Sequence, residues 1–441
     1  MATKQIHLIA IGGAIMHYLA IDLKKNGYQV TGSDDVIFDP AKSNLEKENL
    51  LPKKMGWNAE HIHANLDLII LGMHAKKNNP ELQKALDLKI PIQSFPEFVF
   101  QQTRDKLRVV VSGSHGKTTI TSMIMHMLKE QKIDFDYLVG AKLSGFERMV
   151  KISNAPIVVI EGDEYLSSAL DRRSKFHWYK PSILLLTGIA WDHMNVFPTF
   201  DSYLQTFEKL IADNIDAKVI YFQDDKHLQN MVAKNKNRVK IAYQATHFEP
   251  LESGMKIESA VFPIFGDHNA ANLSGALEVV NFLGVPKNKA LSSMKNYRGA
   301  SLRLQKIFVS ENTLIFRDFA HAPSKVKASV HAVNQHFSSR KFLAVLELHT
   351  FSSLDPAFIV QYKDSLDLAN EKIVFLDDQA LHKKGKSTEL HASFLMDIFG
   401  QDCQIIKKSS LLKQKVQAFT SSKSVTLLMS SGNFGGINWS H

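Results

Sequence analysis

The stretch VVVSGSHGKTTITSMIMHML, residues 109–128, limits what this chain can fold into more than any other. A β-branched run passes through SGSHGKTT into a helix-like pattern. A strand that turns on glycine into a helix leaves free backbone N–H groups at the helix start, and the helix dipole adds positive potential there. Gly113 and Gly116 let backbone come close to an anion. Ser114 and His115 lie inside the turn. Lys117 can reach the β- and γ-phosphates of a nucleotide, and Thr118 or Thr119 can offer a hydroxyl to Mg²⁺. The usual phosphate-loop spacing, G-x-x-x-x-G-K-[ST], wants a glycine at 111, where this chain has Val111. The plain alternative is a strand–turn–helix with a surface lysine. Gly-Lys-Thr-Thr at the junction favours the nucleotide site.

Around this stretch the chain divides into three αβ-rich blocks, the number its 441 residues suggest. The first block has the strand-like runs IHLIAIGG, YQVTGSDD, LDLIILGM and KIPIQSF, with MHYLAIDLKKNG as a helix. FPEFVFQQTRDKL reads as a helix and linker into the second block, whose further strands are APIVVIEGDE, PSILLLTGIAWDH and AKVIYFQDD. HNAANLSGALEVVNFLG then reads as a helix stopped at Gly284, with Asp267 or Asn269 available as its cap. The third block, opening near MKNYRGASLRLQKIF, holds TLIFRDFAHAP, KFLAVLELHT, KIVFLDD and SVTLLMSSGNFGG. Strand–helix alternation predicts parallel sheets with helices on both faces, and ligands beyond the carboxyl ends of the strands.

Composition bounds the chemistry. The apolar fraction of 44% and charged fraction of 22% are those of a globular protein. No apolar run approaches the ~20 residues of a membrane span, and the N-terminus has no signal-peptide pattern. Cys403 is the only cysteine, which rules out an internal disulfide and fits a cytoplasmic setting. The net charge of +9 is scattered, with no basic-aromatic strip, so small anions are a better expectation than nucleic acid.

The short loop, with EGDE at 161–164, WDHMN at 191–195, HNAAN at 268–272 and RDFAHAP at 317–323, resembles the Mur ligase family and its folylpolyglutamate synthetase relatives. The resemblance spans essentially the whole chain. It implies an α/β fold of three domains: a Rossmann-like UDP-sugar-binding domain (1–103), a central P-loop ATPase-like parallel sheet (104–296) and a Rossmann-like C-terminal domain for the amino substrate (297–441). It also implies ATP and Mg²⁺. Carried over by position, Lys117, Glu161 and His193 are the catalytic residues, with Thr118, Glu161 and His193 on the metal and Asp192 beside it. ATP would also meet the loop from Gly113 to Thr119, and His268, Asn269, Asn272, Arg303 and Asp318. His321, His349, Gly432 and Asn433 would face the amino substrate. Two departures stand in this region: Arg317 and Ala322 occupy positions where many relatives have an acid and a second histidine. Lys209 lies near the place where many relatives carry a carbamylated lysine, but the register is off by one, with Glu208 at the site, and the alanine-adding members of the family also lack this lysine.

The first block resembles the branch that accepts UDP-N-acetylmuramate, whose common pattern is G-x-G-G-x-G-M. Here Ala10 and Ile15 replace two glycines while Gly12 and Gly13 remain. Gly12, Gly13, Asp34 and His74 are the UDP-sugar candidates. EGDEYLSSALDRRSKF resembles the members whose amine is a preformed tripeptide, L-alanyl-γ-D-glutamyl-meso-diaminopimelate. The implied reaction phosphorylates the lactyl carboxylate with ATP and lets the amine displace phosphate. A ligase for free L-alanine is the runner-up, and a folylpolyglutamate synthetase-like ligase or a non-catalytic nucleotide-binding module is further away. His193, His349 or a water could deprotonate the amine. The resemblance also implies a cytoplasmic enzyme of peptidoglycan synthesis and recycling, with no membrane insertion and no nucleic acid.

Overall fold

The apolar runs become parallel strands. The structure, a computed structural model, describes residues 4–191, 196–377, 381, 390–420 and 423–439. Contacts divide the chain into two compact units, Met1–Gln244 with Gly275–Ala290, and Ala245–Ser274 with Leu291–His441.

The first unit carries two sheets. Strands β1 (Gln5–Ile9), β2 (Gln29–Ser33), β3 (Leu68–Leu71) and β4 (Ile92–Ser94) form an all-parallel sheet in the order β2-β1-β3-β4. Helix α1 (Met16–Lys25) follows β1 and ends on Lys24 and Lys25, whose charges suit a helix C-terminus. Helix α2 (Phe95–Thr103) starts on a capping box between Ser94 and Glu97, with Pro96 in the first turn where no N–H is needed. The second sheet has seven strands in the order β11-β10-β9-β5-β8-β6-β7. They are β5 (Leu107–Ser112), β6 (Asp136–Leu138), β7 (Val150–Lys151), β8 (Ile157–Glu161), β9 (Ile183–Leu186), β10 (Lys218–Phe222) and β11 (Lys240–Tyr243). All pairs are parallel except β6 with β7. Val109, Val110 and Val111 are each fully buried, so β5 has apolar neighbours on both faces and its sequence does not alternate.

The two sheets are fastened through Asp22 of α1. Its buried carboxylate accepts from Arg148 Nη1 at 2.6 Å and from the Ile152 amide at 3.0 Å, beside β7. Asn26 Nδ2 donates to Ile152 O at 2.9 Å.

The second unit carries an antiparallel meander, β12 (Glu249–Leu251), β13 (Gly254–Ile257) and β14 (Ala260–Phe262). Its main sheet runs β15-β16-β20-β17-β18-β19, where β15 (Gln305–Val309) is an antiparallel edge. The others, β16 (Thr313–Asp318), β17 (Lys341–Glu347), β18 (Glu371–Phe375), β19 (Gln404–Ile406) and β20 (Ser424–Met429), are parallel. Successive residues serve opposite cores: Leu314 and Phe316 join one cluster with Val330 and Val333, while Ile315 joins another with Leu412 and Val416. Among the described residues no helix is long and apolar enough to cross a membrane.

Candidate active site

β5 is the middle strand of the seven, with β8 and β9 on its two sides, so the tails of all three strands open onto the turn at 113–116. Helix α3 (Lys117–Glu130) begins directly after that turn, with Gly116 as its left-handed N-cap at φ 75°. Gly113 has φ 126°, and a Cβ there would lie 2.2 Å from Thr187 Oγ1 and 2.8 Å from Thr187 N. The turn can be built only with glycine at that position. Among the described residues no side chain caps α3, which leaves its first turn open to an anion.

Lys117 Nζ donates to Gly113 O at 2.5 Å and to Glu164 Oε2 at 2.8 Å. Glu164 is fully buried. Burial alone would lower the Lys117 pKa, but the Glu164 charge and hydrogen bond, with Asp163 and Glu161 behind them, raise it above the ordinary lysine value. A donor chain stabilises Glu164 in turn. The Ala190 amide donates to Ser114 Oγ at 2.8 Å, Ser114 Oγ lies 2.8 Å from Tyr203 OH, and Tyr203 donates to Glu164 Oε1 at 3.4 Å. Sequence reading used Glu161 of EGDE and passed over Glu164 and Tyr203. The signal available was a second acid three residues past the strand end, but nothing in the sequence says that it turns back onto Lys117.

Glu161 ends β8. It accepts from Thr118 Oγ1 at 2.8 Å and from the Gly140 amide at 2.8 Å. A threonine hydroxyl and a carboxylate in contact are oxygen donors of the kind Mg²⁺ takes, so these residues fit that ion. His193 and Asp192 lie outside the described residues. Among the described residues no group of three or more His, Cys, Asp or Glu could hold a metal. Thr119 is buried just behind Thr118, and His115 is partly exposed within the turn. Lys209 pairs with Asp213 at 3.0 Å on a helix surface.

In the first sheet Gly12 N donates to Asp34 Oδ2 at 2.8 Å, and a Cβ on Gly12 would lie 2.9 Å from the same oxygen. Burial, then the hydrogen bond with Asp35, pushes the Asp34 carboxyl up to about 6, against the Gly12 amide. Gly13 follows, its carbonyl accepting from His17 Nδ1 at 2.9 Å when that nitrogen carries the proton. His74 stands exposed on the turn after β3, the strand beside β1. Ala10, at a glycine of the common pattern, keeps a left-handed φ of 69°. A Cβ on Gly72 would lie 2.9 Å from the Ala10 methyl.

The remaining candidates lie in the second unit. Asn269 Nδ2 donates to Phe265 O and Asn272 Nδ2 to Asn269 Oδ1, both at 3.0 Å, at the start of the helix Asp267–Phe282. Burial lowers the His268 pKa against the pull of Asp318 and Asp267. Asp318 is buried, and its carboxylate accepts from Leu304 N at 3.2 Å and from Ser329 Oγ. Arg303 lies over the Phe319 ring at 4.8 Å, between Leu302 and Leu304, whose φ values of 58° and 43° are both left-handed. His321 Nδ1 is 2.8 Å from Phe319 O.

At the carboxyl ends of β16, β17 and β20, three segments converge. Glu347 Oε2 accepts from Ser430 Oγ and from the Phe434 amide at 3.0 Å, and Glu347 Oε1 is 3.8 Å from His349 Nδ1. A Cβ on Gly432 would lie 2.8 Å from Glu347 Oε2 and 2.9 Å from the His349 ring. Asn433 Oδ1 accepts from Gly436 N at 3.2 Å, so it holds its own turn. Arg317 Nη2 donates to Gly432 O at 2.5 Å. Arg317 and Glu347 are the residues this cluster adds to the sequence-read set of His349, Gly432 and Asn433.

Two family models match the chain: the Mur ligase family catalytic domain over residues 5–106 and the Mur ligase middle domain over residues 111–280. The UDP-N-acetylmuramate–L-alanyl-γ-D-glutamyl-meso-2,6-diaminoheptandioate ligase of Haemophilus influenzae is 26% identical, over 99% of this chain and 98% of that one. The UDP-N-acetylmuramate–L-alanine ligase of Caldicellulosiruptor bescii is 30% identical, over 90% and 89%. A murein peptide ligase structure from Psychrobacter arcticus superposes with a TM-score of 0.67 at 22% identity, over 98% and 97%.

Proposed function

The chain belongs to the Mur ligase family, whose members are ATP-dependent ligases that form amide bonds, and from that premise we propose that it joins UDP-N-acetylmuramate to L-alanyl-γ-D-glutamyl-meso-diaminopimelate in peptidoglycan recycling. The observation that carries the amine assignment is the segment EGDEYLSSALDRRSKF. It folds back on itself, with Leu166 bridged to Ser174 and Lys175 Nζ on Asp163 at 2.6 Å. That fold-back brackets Glu164, the partner of Lys117, so the segment resembling the tripeptide-accepting members is built into the phosphate loop's surroundings.

In this reading the first sheet takes the UDP-sugar, the seven-stranded sheet takes ATP and the second unit takes the amine. The lactyl carboxylate attacks the γ-phosphorus of ATP, giving an acyl phosphate and ADP. The L-alanyl amine then adds to the acyl carbon, loses a proton and expels phosphate. Lys117 and the first amides of α3 hold the phosphates in line and offset the charge that grows on them. Thr118 and Glu161, joined by His193, would hold Mg²⁺. The bound ion supplies neutralisation of the phosphate oxygens. Arg303, His268 and Asp318 are the nucleotide candidates that the family resemblance implies in the second unit.

The test is phosphate release by the purified enzyme with ATP, UDP-N-acetylmuramate and either the tripeptide or L-alanine. Release that needs both UDP-N-acetylmuramate and the tripeptide is expected, and Lys117→Ala should abolish it while leaving the fold intact. Release with L-alanine alone would favour the runner-up, for which the Caldicellulosiruptor bescii similarity speaks. Full activity in Lys117→Ala would sink the ATP site.

A further inference from the structure

We propose that Arg317 binds a carboxylate of the amine substrate and so determines which amine the enzyme accepts, an assignment that rests on the function proposed above. Three observations carry it. First, the guanidinium has five N–H donors. One goes to Gly432 O at 2.5 Å, while Nε is buried and has no acceptor among the described residues. A buried donor without a partner costs free energy, and a carboxylate is the acceptor that fits a guanidinium fork best. Second, the acid whose charge acts on Arg317 is held by other donors. Glu347 is buried and its Oε2 is taken by Ser430 Oγ and the Phe434 amide. Arg317 itself rests on the Phe434 ring at 5.1 Å, which fixes its plane without neutralising its charge. Third, the place is right. Arg317 is the penultimate residue of β16, and Gly432 follows β20, the strand inserted between β16 and β17. Ligands bind beyond carboxyl strand ends where the strand order reverses. Ser431, in the same turn as Gly432, has a buried hydroxyl with no partner among the described residues.

Sequence reading marked position 317 only as a departure, a cation where many relatives have an acid. Such a change of sign alters what the pocket attracts. An acid there would repel a carboxylate, and an arginine captures one. The amine named above carries several carboxylates, whereas L-alanine carries one.

The experiment measures kcat and KM for the tripeptide and for analogues in which one carboxylate at a time is a carboxamide. With the unaltered enzyme, one analogue should lose about 30-fold or more in kcat/KM, the scale of one lost charge-assisted fork. Arg317→Met should raise KM for the free-acid tripeptide by a similar factor, leave KM for ATP and UDP-N-acetylmuramate within about twofold, and erase the preference for the acid over that analogue. Arg317→Lys should restore part of the affinity. Equal kcat/KM for the acid and every carboxamide in the unaltered enzyme would overturn the assignment without any variant. So would a preference that survives in Arg317→Met, or three KM values rising together, which mark a structural arginine. Turnover failing with every amine would instead overturn the function on which the assignment rests.

Discussion

Replacing Glu164 by glutamine should move stability and nucleotide affinity in opposite directions. The Lys117 side chain is 14% exposed, and its ammonium lies 2.8 Å from the carboxylate of Glu164, whose side chain has no exposure. Removing one partner of a buried pair costs about 3–5 kcal/mol. The amide keeps the volume and an acceptor for Tyr203, so the low end applies, about 3 kcal/mol. For a unit of this size that lowers the melting temperature by roughly 6–10 °C. The same change removes a competitor. A phosphate arriving at the turn must take Lys117 from Glu164, and in the variant it need not. If only about 1 kcal/mol of the lost pairing returns to the ligand, Kd for ADP tightens about fivefold. Differential scanning calorimetry gives the first quantity, and titration calorimetry with ADP gives the second. A variant that melts at the unaltered temperature, or binds ADP no better, would refute the view that Glu164 holds Lys117 in reserve.

Three other outcomes are expected. Burial pushes His177 down to about 4 from an ordinary 6.5, the charges around it being secondary. The unfolded chain therefore takes up a proton that the folded one refuses. Stability from this group is full above pH 6.5 and falls by up to about 3 kcal/mol as pH drops toward 4. Urea melts across that range should show the slope, and His177→Leu should flatten it. Gly113→Ala should lose nucleotide binding and at least about 2 kcal/mol of stability, because the new methyl meets Thr187 and Gly188 backbone atoms at 2.8 and 2.9 Å. Adding Thr187→Ala removes only the hydroxyl contact, so a full rescue by that second change would contradict the argument. Asp22→Ala strands Arg148 and the Ile152 amide and should cost about 3 kcal/mol. Early proteolytic release of the first sheet would show it, and an unaltered cleavage pattern would speak against the clamp.

The parts of the fold that sequence reveals are those with a repeated physical signature. Val109–Val111 and Leu343–Leu346 lie in short apolar runs bounded by turn residues, the pattern of strands covered on both faces, and their polar tails mark the ligand end of each sheet. The meander at 249–262 and the short strands β6, β7, β11 and β19 escaped sequence reading because two to four residues carry too little apolar pattern. The site divides the same way. Gly113, Gly116 and Lys117 were legible because glycine and lysine types are dictated by backbone geometry and charge. Glu164 was not, since its role depends on where an irregular segment turns. The carboxylate of Asp318, an ATP contact by resemblance, accepts from Leu304 N and Ser329 Oγ, contacts that no local sequence pattern announces.

Ala10 carries a wider lesson. A glycine signature records backbone angles and clearances, and residue letters are only its usual spelling. Here the angle survives at residue 10 with a methyl attached, and that methyl stands where a side chain on Gly72 would have to be. The demand for smallness is thus shared by the ends of two neighbouring strands, sixty-two positions apart in sequence (10 and 72). A search that scores each letter separately counts a loss at the first position and sees nothing at the second. Scored as one joint constraint, the turn is intact.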